Sequence, residues 1–97
     1  FMELLEEEFH EGHEVNYYAE RMNISRKYLG IIVSGKTGFP PKHIIDEYIV
    51  LQLKLAMRTS KRSLKQIAAD FHFPDQSALT RYFRTHVGMS PQQYRLK

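Results

Sequence analysis

A cluster of hydrogen-bonding side chains lies towards the end of the sequence, in residues 75–87. The apolar residues of this segment recur at helical spacing, at Ala78, Leu79, Tyr82, Phe83 and Val87, which predicts a helix from about Asp75 to His86 with one buried face. The opposite face would then carry Gln76, Ser77, Thr80, Arg81 and Arg84. Glutamine can pair with the edge of adenine, arginine with O6 and N7 of guanine, and threonine with a thymine methyl group or a phosphate. The face could therefore contact bases in a major groove, and an ordinary solvated helix surface is the alternative.

An internal repeat favours the base-contact interpretation. Ala19, Met22 and Ile24 recur 49 positions later as Ala68, Phe71 and Phe73, and Leu29, Val33, Gly38 and Pro41 recur 50 positions later as Leu79, Phe83, Gly88 and Pro91. Each copy predicts a short helix, a tight turn and a second helix with one apolar face, ended by glycine. The change of shift places one extra residue in the turn of the second copy. A duplicated helix-turn-helix with polar, basic second helices is typical of proteins that contact two successive stretches of DNA.

The second helix of the first copy has weaker base-reading chemistry. Leu29, Ile32 and Val33 are expected in its core, and Arg26, Lys27, Gly30, Ile31 and Ser34 on its outer face. Gly30 corresponds to Thr80 and Ile31 to Arg81, and neither can donate a side-chain hydrogen bond to a base. Ile31 could pack on thymine methyl groups while Gly30 lets the helix approach the groove; alternatively, Arg26 and Lys27 grip the DNA backbone and Ile31 contacts a protein. We expect weak sequence reading from this copy.

The charge of the chain is unevenly distributed. The formal net charge is +3, but residues 1–48 carry five Lys/Arg against nine Asp/Glu, a net of −4, whereas residues 49–97 carry nine against two, a net of +7. A basic region of this density is typical of a phosphate-binding surface. The candidates for phosphate contact, which positions a protein on DNA without reading its sequence, are Arg26, Lys36, Lys42, Lys61, Arg62, Lys65 and Arg84.

The periodicity and the capping residues predict seven helices and no strand, an all-α fold. The helices are expected at about 2–9, ended by Gly12; at 15–22; at 26–34, halted by Gly35 and Gly38; at 40–59; at 64–71; at 75–86; and after Ser90-Pro91. The chain would thus form two helix-turn-helix subdomains, about 1–39 and 60–97, joined by a long linker helix. This linker is apolar on two sides, with Ile45, Tyr48, Ile49, Gln52 and Ala56 on one and Ile44, Leu51 and Leu55 on the other, so it is expected to lie sandwiched between the repeats.

Other classes of function find little support. The chain contains no cysteine, and no apolar stretch is long enough to span a bilayer. His10, Glu11, His13 and Glu14 lie close together, but Gly12 interrupts them and no third metal ligand is apparent. We therefore expect no enzyme activity, no metal and no cofactor. A helical protein-interaction module, using Ile31 and the acidic first helix, is the stronger competitor.

The motifs resemble the DNA-binding domain of AraC/XylS-type bacterial transcription regulators. Residues 63–95 are similar to the family signatures I-A-x-x-x-G-F, S-x-F-x-R-x-F-K and G-x-x-P-x-x-Y-R, and residues 17–29 with 37–41 are similar to the first motif; together the resemblance covers about 15–97. It implies two helix-turn-helix units whose second helices enter adjacent major-groove segments. The base-reading positions would be Lys27, Gly30 and Ile31 in the first copy and Gln76, Ser77, Thr80 and Arg81 in the second.

The resemblance also implies a setting for the domain. It implies double-stranded DNA as the partner, an activator that contacts RNA polymerase, and a location in the bacterial cytoplasm, at the nucleoid. Members normally carry a separate domain that binds an effector, and none is evident in these residues; the initial Phe1-Met2 also suggests a piece of a longer polypeptide. His72 stands where the family usually has glycine, which leaves open a different backbone in that turn.

Overall fold

The computed structural model describes residues 1–96, which contain seven α-helices and no strand, confirming the all-α prediction. The helices are α1 Met2–Glu8, α2 Val15–Arg21, α3 Arg26–Thr37, α4 Pro41–Thr59, α5 Leu64–Asp70, α6 Gln76–Val87 and α7 Pro91–Leu96. The chain divides into two compact units within α4: the first unit is Phe1–Ile49, and the second begins at Val50. Each helix-turn-helix, α2–α3 and α5–α6, lies inside one unit.

The core of the first unit consists of side chains from all four of its helical segments. Leu5, Tyr18, Leu29, Ile45 and Ile49 are fully buried. The Tyr18 hydroxyl donates a hydrogen bond of 2.6 Å to the backbone oxygen of Gly12, so its polar atom is satisfied inside the core. Because burial disfavours the phenolate, the pKa of Tyr18 is raised well above its ordinary value. This tyrosine ties the loop after α1 to α2.

Gly12 does not end α1, as the sequence had suggested, because that helix already ends at Glu8. The glycine is buried, and a Cβ at this position would overlap the ring of Tyr17. The Tyr17 hydroxyl in turn donates to a carboxylate oxygen of Glu8 at 2.5 Å, and Arg21 donates to the other oxygen at 2.7 Å. Gly12 is therefore required for close packing between the loop and α2.

The core of the second unit is built around α6. Leu53, Ile67, Leu79 and Phe83 are fully buried, and the rings of Phe83 and Tyr94 meet edge to face with centroids 5.5 Å apart. In addition, a capping box at Ser63 and Gln66 closes the N-terminus of α5 through two hydrogen bonds of 2.8 and 3.1 Å.

The C-terminal end of α4 is closed by a residue distant in sequence. The Arg95 guanidinium donates to the backbone oxygen of Met57 at 3.1 Å and to that of Ser60 at 3.4 Å. A cation at this position satisfies carbonyl groups that lack a helical partner and interacts favourably with the negative end of the helix dipole. Arg95 thereby joins α7 to the linker helix inside the second unit.

The two inter-helix turns begin with the same backbone conformation. Asn23 and His72 both have φ 58°, the left-handed region. In the first turn the N–H of Ile24 donates to the oxygen of Ala19 at 3.0 Å, and in the second the N–H of Phe73 donates to that of Ala68 at 2.9 Å, the bond of a Schellman cap. His72 therefore adopts the left-handed backbone conformation that glycine enters most easily.

Two expectations for the helices are wrong. Gly35 does not halt α3, which continues to Thr37 and ends at Gly38, whose φ is 80°. The second apolar face of α4 is not covered, since Leu51 is 51% and Leu55 is 46% exposed.

The buried face of α4 follows one continuous stripe. Its members, Ile45, Ile49, Leu53 and Met57, recur every four positions, because side chains at i and i+4 lie on the same side of a helix. The sequence predicted the first two of these residues but not the last two, placing half-buried Gln52 and Ala56 on that face instead.

Candidate nucleic-acid interface

The orientation of α6 is determined by its caps and its core residues. The Asp75 side chain accepts a hydrogen bond of 2.8 Å from the Ala78 N–H, so Asp75 is the N-cap and the helix begins at Gln76. Gly88, with φ 88°, ends it. Leu79 and Phe83 are fully buried, which directs the opposite face of the helix outwards.

Arg81 lies at the centre of the exposed face of α6. At 3.6 residues per turn its side chain is opposite those of Leu79 and Phe83. Ser77, Arg81 and Arg84 are exposed, as predicted, whereas Gln76 and Thr80 are half-buried at the edges of the face. Within residues 1–96, neither the Arg81 nor the Arg84 guanidinium takes part in a hydrogen bond or an ion pair. Their donors are therefore available to a ligand.

Sequence reasoning missed one residue of this face. Thr85 is exposed and follows Arg81 by one turn, at i+4, so the helical spacing from Arg81 could have identified it. It extends the row of hydroxyl and guanidinium groups towards the C-terminal end of α6.

In the first unit, α3 is built in the same way as α6. The Ser25 hydroxyl accepts from the Tyr28 N–H at 3.0 Å, and Gly38 ends the helix in the left-handed conformation. The two caps, Ser25 and Asp75, are 50 residues apart, so the extra residue of the second turn lies before the cap, as the change of shift predicted. Leu29 and Val33 are buried, but Ile32, which was expected in the core, is only half-buried.

The exposed face of α3 differs chemically from that of α6. Lys27, Ile31 and Ser34 are exposed, and Gly30 is partly exposed. Ile31 takes the central position that Arg81 takes in α6. Tyr28, which the sequence analysis did not assign to any surface, is also exposed.

The predicted phosphate contacts fall into two groups. The free group is exposed and has no carboxylate partner within residues 1–96; it consists of Arg26, Lys36, Lys61, Lys65 and Arg84. The paired group already has a carboxylate partner: Arg62 donates to both oxygens of Asp70 at 2.6 and 2.9 Å, and Lys42 lies 3.3 Å from Asp46. The bidentate pair holds the Arg62 guanidinium against Asp70 of α5. Of the three cations within residues 61–65, Lys61 and Lys65 are therefore the ones available to a phosphate.

Two other kinds of feature, a metal centre and a membrane-spanning helix, are absent from the part of the chain that the structure describes. Among residues 1–96, no group of three or more His, Asp or Glu side chains is arranged to hold a metal ion. In the same residues, no helix has the length and apolar character needed to cross a membrane.

A family model described as a helix-turn-helix domain matches residues 18–97. Among solved structures, a transcriptional regulator with an AraC-type DNA-binding domain from Chromobacterium violaceum is 19% identical, with a TM-score of 0.78 over 98% of this chain and 85% of that one. The chain belongs to the AraC-type helix-turn-helix family. This family consists of DNA-binding domains of transcription regulators.

Two further proteins are similar to this chain in sequence. The AraC-type domain is 28% identical over 81 residues to the Msm operon regulatory protein of Streptococcus mutans. The matched segment covers 84% of this chain and 29% of the relative, so the chain spans less than a third of that protein. The DNA-binding domain of AdpA, a global transcriptional factor whose structure was solved in complex with a target DNA, is 31% identical. It has a TM-score of 0.77, over 93% of this chain and 81% of that one.

The same fold occurs in response regulators. The C-terminal domain of YesN from Fusobacterium nucleatum is 22% identical, with a TM-score of 0.83 over 97% of this chain and 92% of that one. At this level of identity the likeness establishes the shared fold.

Proposed function

We propose that this AraC-type domain binds double-stranded DNA in a sequence-specific manner, with α3 and α6 entering adjacent segments of the major groove. One observation carries the proposal: α6 presents the guanidinium of Arg81, which has no partner among residues 1–96, at the centre of an exposed polar face opposite the buried Leu79 and Phe83. A helix held on a core in this way can offer its polar face to base edges. The solved complex of AdpA with its target DNA, at 31% identity, supports the same function.

Within this proposal, α6 is the principal reader. Arg81 would fork onto O6 and N7 of a guanine, because a guanidinium matches these two acceptors. Gln76, Ser77 and Thr80 would read neighbouring base edges. In the first unit, Lys27, Gly30 and Ile31 occupy the corresponding positions.

The free cations would contact phosphates on either side of the groove. Lys61 precedes α5, Lys65 lies in the first turn of α5, and Arg26 and Lys36 lie on α3. Such contacts supply sequence-independent affinity and determine how the domain is positioned on the duplex. Arg84 would serve the same purpose from the edge of the polar face.

At the level of the whole protein, the domain would regulate transcription. The likeness to the Msm operon regulatory protein supports this role. We propose in addition that the protein activates transcription by contacting RNA polymerase in the bacterial cytoplasm, and that its effector binds to a part of the protein outside this domain. In vitro transcription would test the activator role. The promoter would carry a DNA site selected by the domain, and transcription would be measured with and without the protein.

Selection of bound genomic fragments tests DNA reading directly. The domain should enrich a two-part site whose halves lie about one helical turn of DNA apart, since each unit would occupy one major-groove segment. Lys27→Glu should remove the preference for one half, and Arg81→Glu should remove the preference for the other. These matched charge reversals also assign each half to a helix.

The proposal fails if the folded domain enriches no sequence. It also fails if both charge reversals leave the whole enriched motif unchanged. Tight capture of a protein partner in the absence of any enriched site would instead favour the protein-interaction module.

A further inference from the structure

The exposed face of α3 is apolar at the positions where α6 is polar. Ile31 is 62% exposed at the centre of this face, opposite the buried Leu29 and Val33, and Tyr28 is 53% exposed one turn before it. Both side chains are therefore more than half exposed to solvent. Ile31 is thus exposed in α3 at the position that Arg81 occupies in α6. An exposed isoleucine at this position can contact an apolar ligand but cannot form hydrogen bonds to one.

Gly30 adds an open area beside Ile31. A Cβ built at Gly30 would meet no atom within 4 Å, so packing in this domain does not require glycine here. Glycine inside a helix is destabilising relative to alanine, and one use of glycine is to let a backbone approach a ligand closely. The same absence of neighbours holds for Gly35, one turn beyond Ile31.

The charge around this apolar area indicates what kind of ligand it contacts. The helix carries Arg26, Lys27 and Lys36 and no acidic residue, although residues 1–48 as a whole have a net charge of −4. The acidic side chains of the first unit thus lie outside α3. An apolar area on a purely basic helix is complementary to a polyanion that also presents apolar groups.

We propose that Ile31 recognises the C5-methyl group of thymine in the major groove, with Gly30 allowing α3 to approach the bases. Thymine is the base that presents a methyl group in this groove, so an aliphatic side chain can select it without donating a hydrogen bond. This inference rests on the DNA binding proposed above. The sequence analysis expected the first copy to read the DNA sequence weakly; here it reads the sequence through an apolar contact instead of hydrogen bonds.

Replacing thymine by deoxyuridine removes only the methyl group and tests this contact. In the half of the selected site that depends on Lys27, the substitution should weaken binding about fourfold at one or two positions, which corresponds to about 0.8 kcal/mol for one buried methyl group. Ile31→Ala should weaken binding to the thymine duplex and abolish the difference between the thymine and deoxyuridine duplexes. Titrations with both duplexes and both proteins form a double-mutant cycle.

Glycine variants test the close approach separately. Gly30→Ala should raise the thermal stability of the domain and lower its affinity for the site, because the added methyl group strengthens the helix but separates it from the bases. The matched control is Gly35→Ala. It should give a similar gain in stability with unchanged affinity, since bases are contacted mainly by the N-terminal part of a recognition helix.

The outcomes separate this inference from the proposed function. If binding is specific but no deoxyuridine substitution in the Lys27-dependent half weakens it, the proposed methyl contact is wrong and the proposed DNA binding stands. A difference between the duplexes that persists in folded Ile31→Ala also overturns the methyl contact. Failure to bind any sequence specifically overturns both.

Discussion

Arg81 combines three properties that make a side chain suitable for reading a base. It lies on a helix held by a fully buried core, it is exposed, and within residues 1–96 its guanidinium has no partner. Arg62 has the same functional group but is bound by Asp70 through two hydrogen bonds. Residue type alone therefore does not identify a reader, because a guanidinium occupied by a carboxylate is not available to a base.

Substitution of Arg81 should have a large and position-specific effect. Arg81→Ala is expected to cost about 1–3 kcal/mol of binding free energy at the selected site and to relax the preference at one base pair. Arg81→Lys is the matched control, since it keeps the charge but loses the two-pronged donor geometry. It should recover part of the affinity and a smaller part of the selectivity. Titration against single-base variants of the site measures both quantities, and unchanged selectivity in Arg81→Ala would remove Arg81 from the set of reading residues.

At the scale of the helical elements, the two helix-turn-helix turns show how different residues adopt one conformation. Asn23 and His72 share φ 58° and equivalent backbone hydrogen bonds. Asparagine and histidine both occur in the left-handed region more often than most residues, but asparagine enters it more readily because its short polar side chain can hydrogen-bond locally. The second turn is therefore under greater backbone strain than the first.

Glycine at position 72 should relieve this strain. His72→Gly is expected to raise the free energy of unfolding by about 1 kcal/mol, because the left-handed penalty disappears while the greater freedom of glycine in the unfolded chain offsets part of the gain. Asn23→Gly should change it less. Urea denaturation of the three proteins provides the comparison, and a loss of stability in His72→Gly would mean that contacts of the imidazole outweigh the backbone strain.

At the scale of the whole molecule, the dominant feature is the separation of charge along the chain. The net charge is −4 for residues 1–48 and +7 for residues 49–97. Since affinity for DNA depends on the number of phosphates neutralised, the second half should supply most of the salt dependence. Lys61 and Lys65 are exposed there, whereas Arg62 is paired.

The salt dependence of binding distinguishes the free cations from the paired one. Lys61→Ala should weaken binding to all sequences about equally and reduce the slope of log affinity against log salt by about 1. Arg62→Ala should change the slope less and instead lower stability by up to about 1 kcal/mol, as expected for a surface ion pair. Binding isotherms over a range of salt concentrations give both slopes. A slope for Lys61→Ala equal to that of the unmodified domain would exclude a phosphate contact at this residue.

The features that the sequence determined by itself are local ones. Helical periodicity, the caps at Ser25 and Ser63, and the terminating Gly38 and Gly88 predicted seven helices with nearly correct bounds. The duplication predicted the two helix-turn-helix units and the outward face of α6. These predictions succeed because periodicity and capping depend on residues within a few positions of each other.

Only the tertiary structure decided which side chains are covered and which are paired. Arg62 meets Asp70 across eight positions, and Arg95 reaches Met57 across 38. Leu51 stays exposed on a helix whose buried stripe passes through Leu53, and Ile31 is 62% exposed on a helix whose Leu29 and Val33 are buried. Burial and pairing depend on residues that the fold brings together from distant positions, so a local pattern can indicate the face of a helix but not what contacts it.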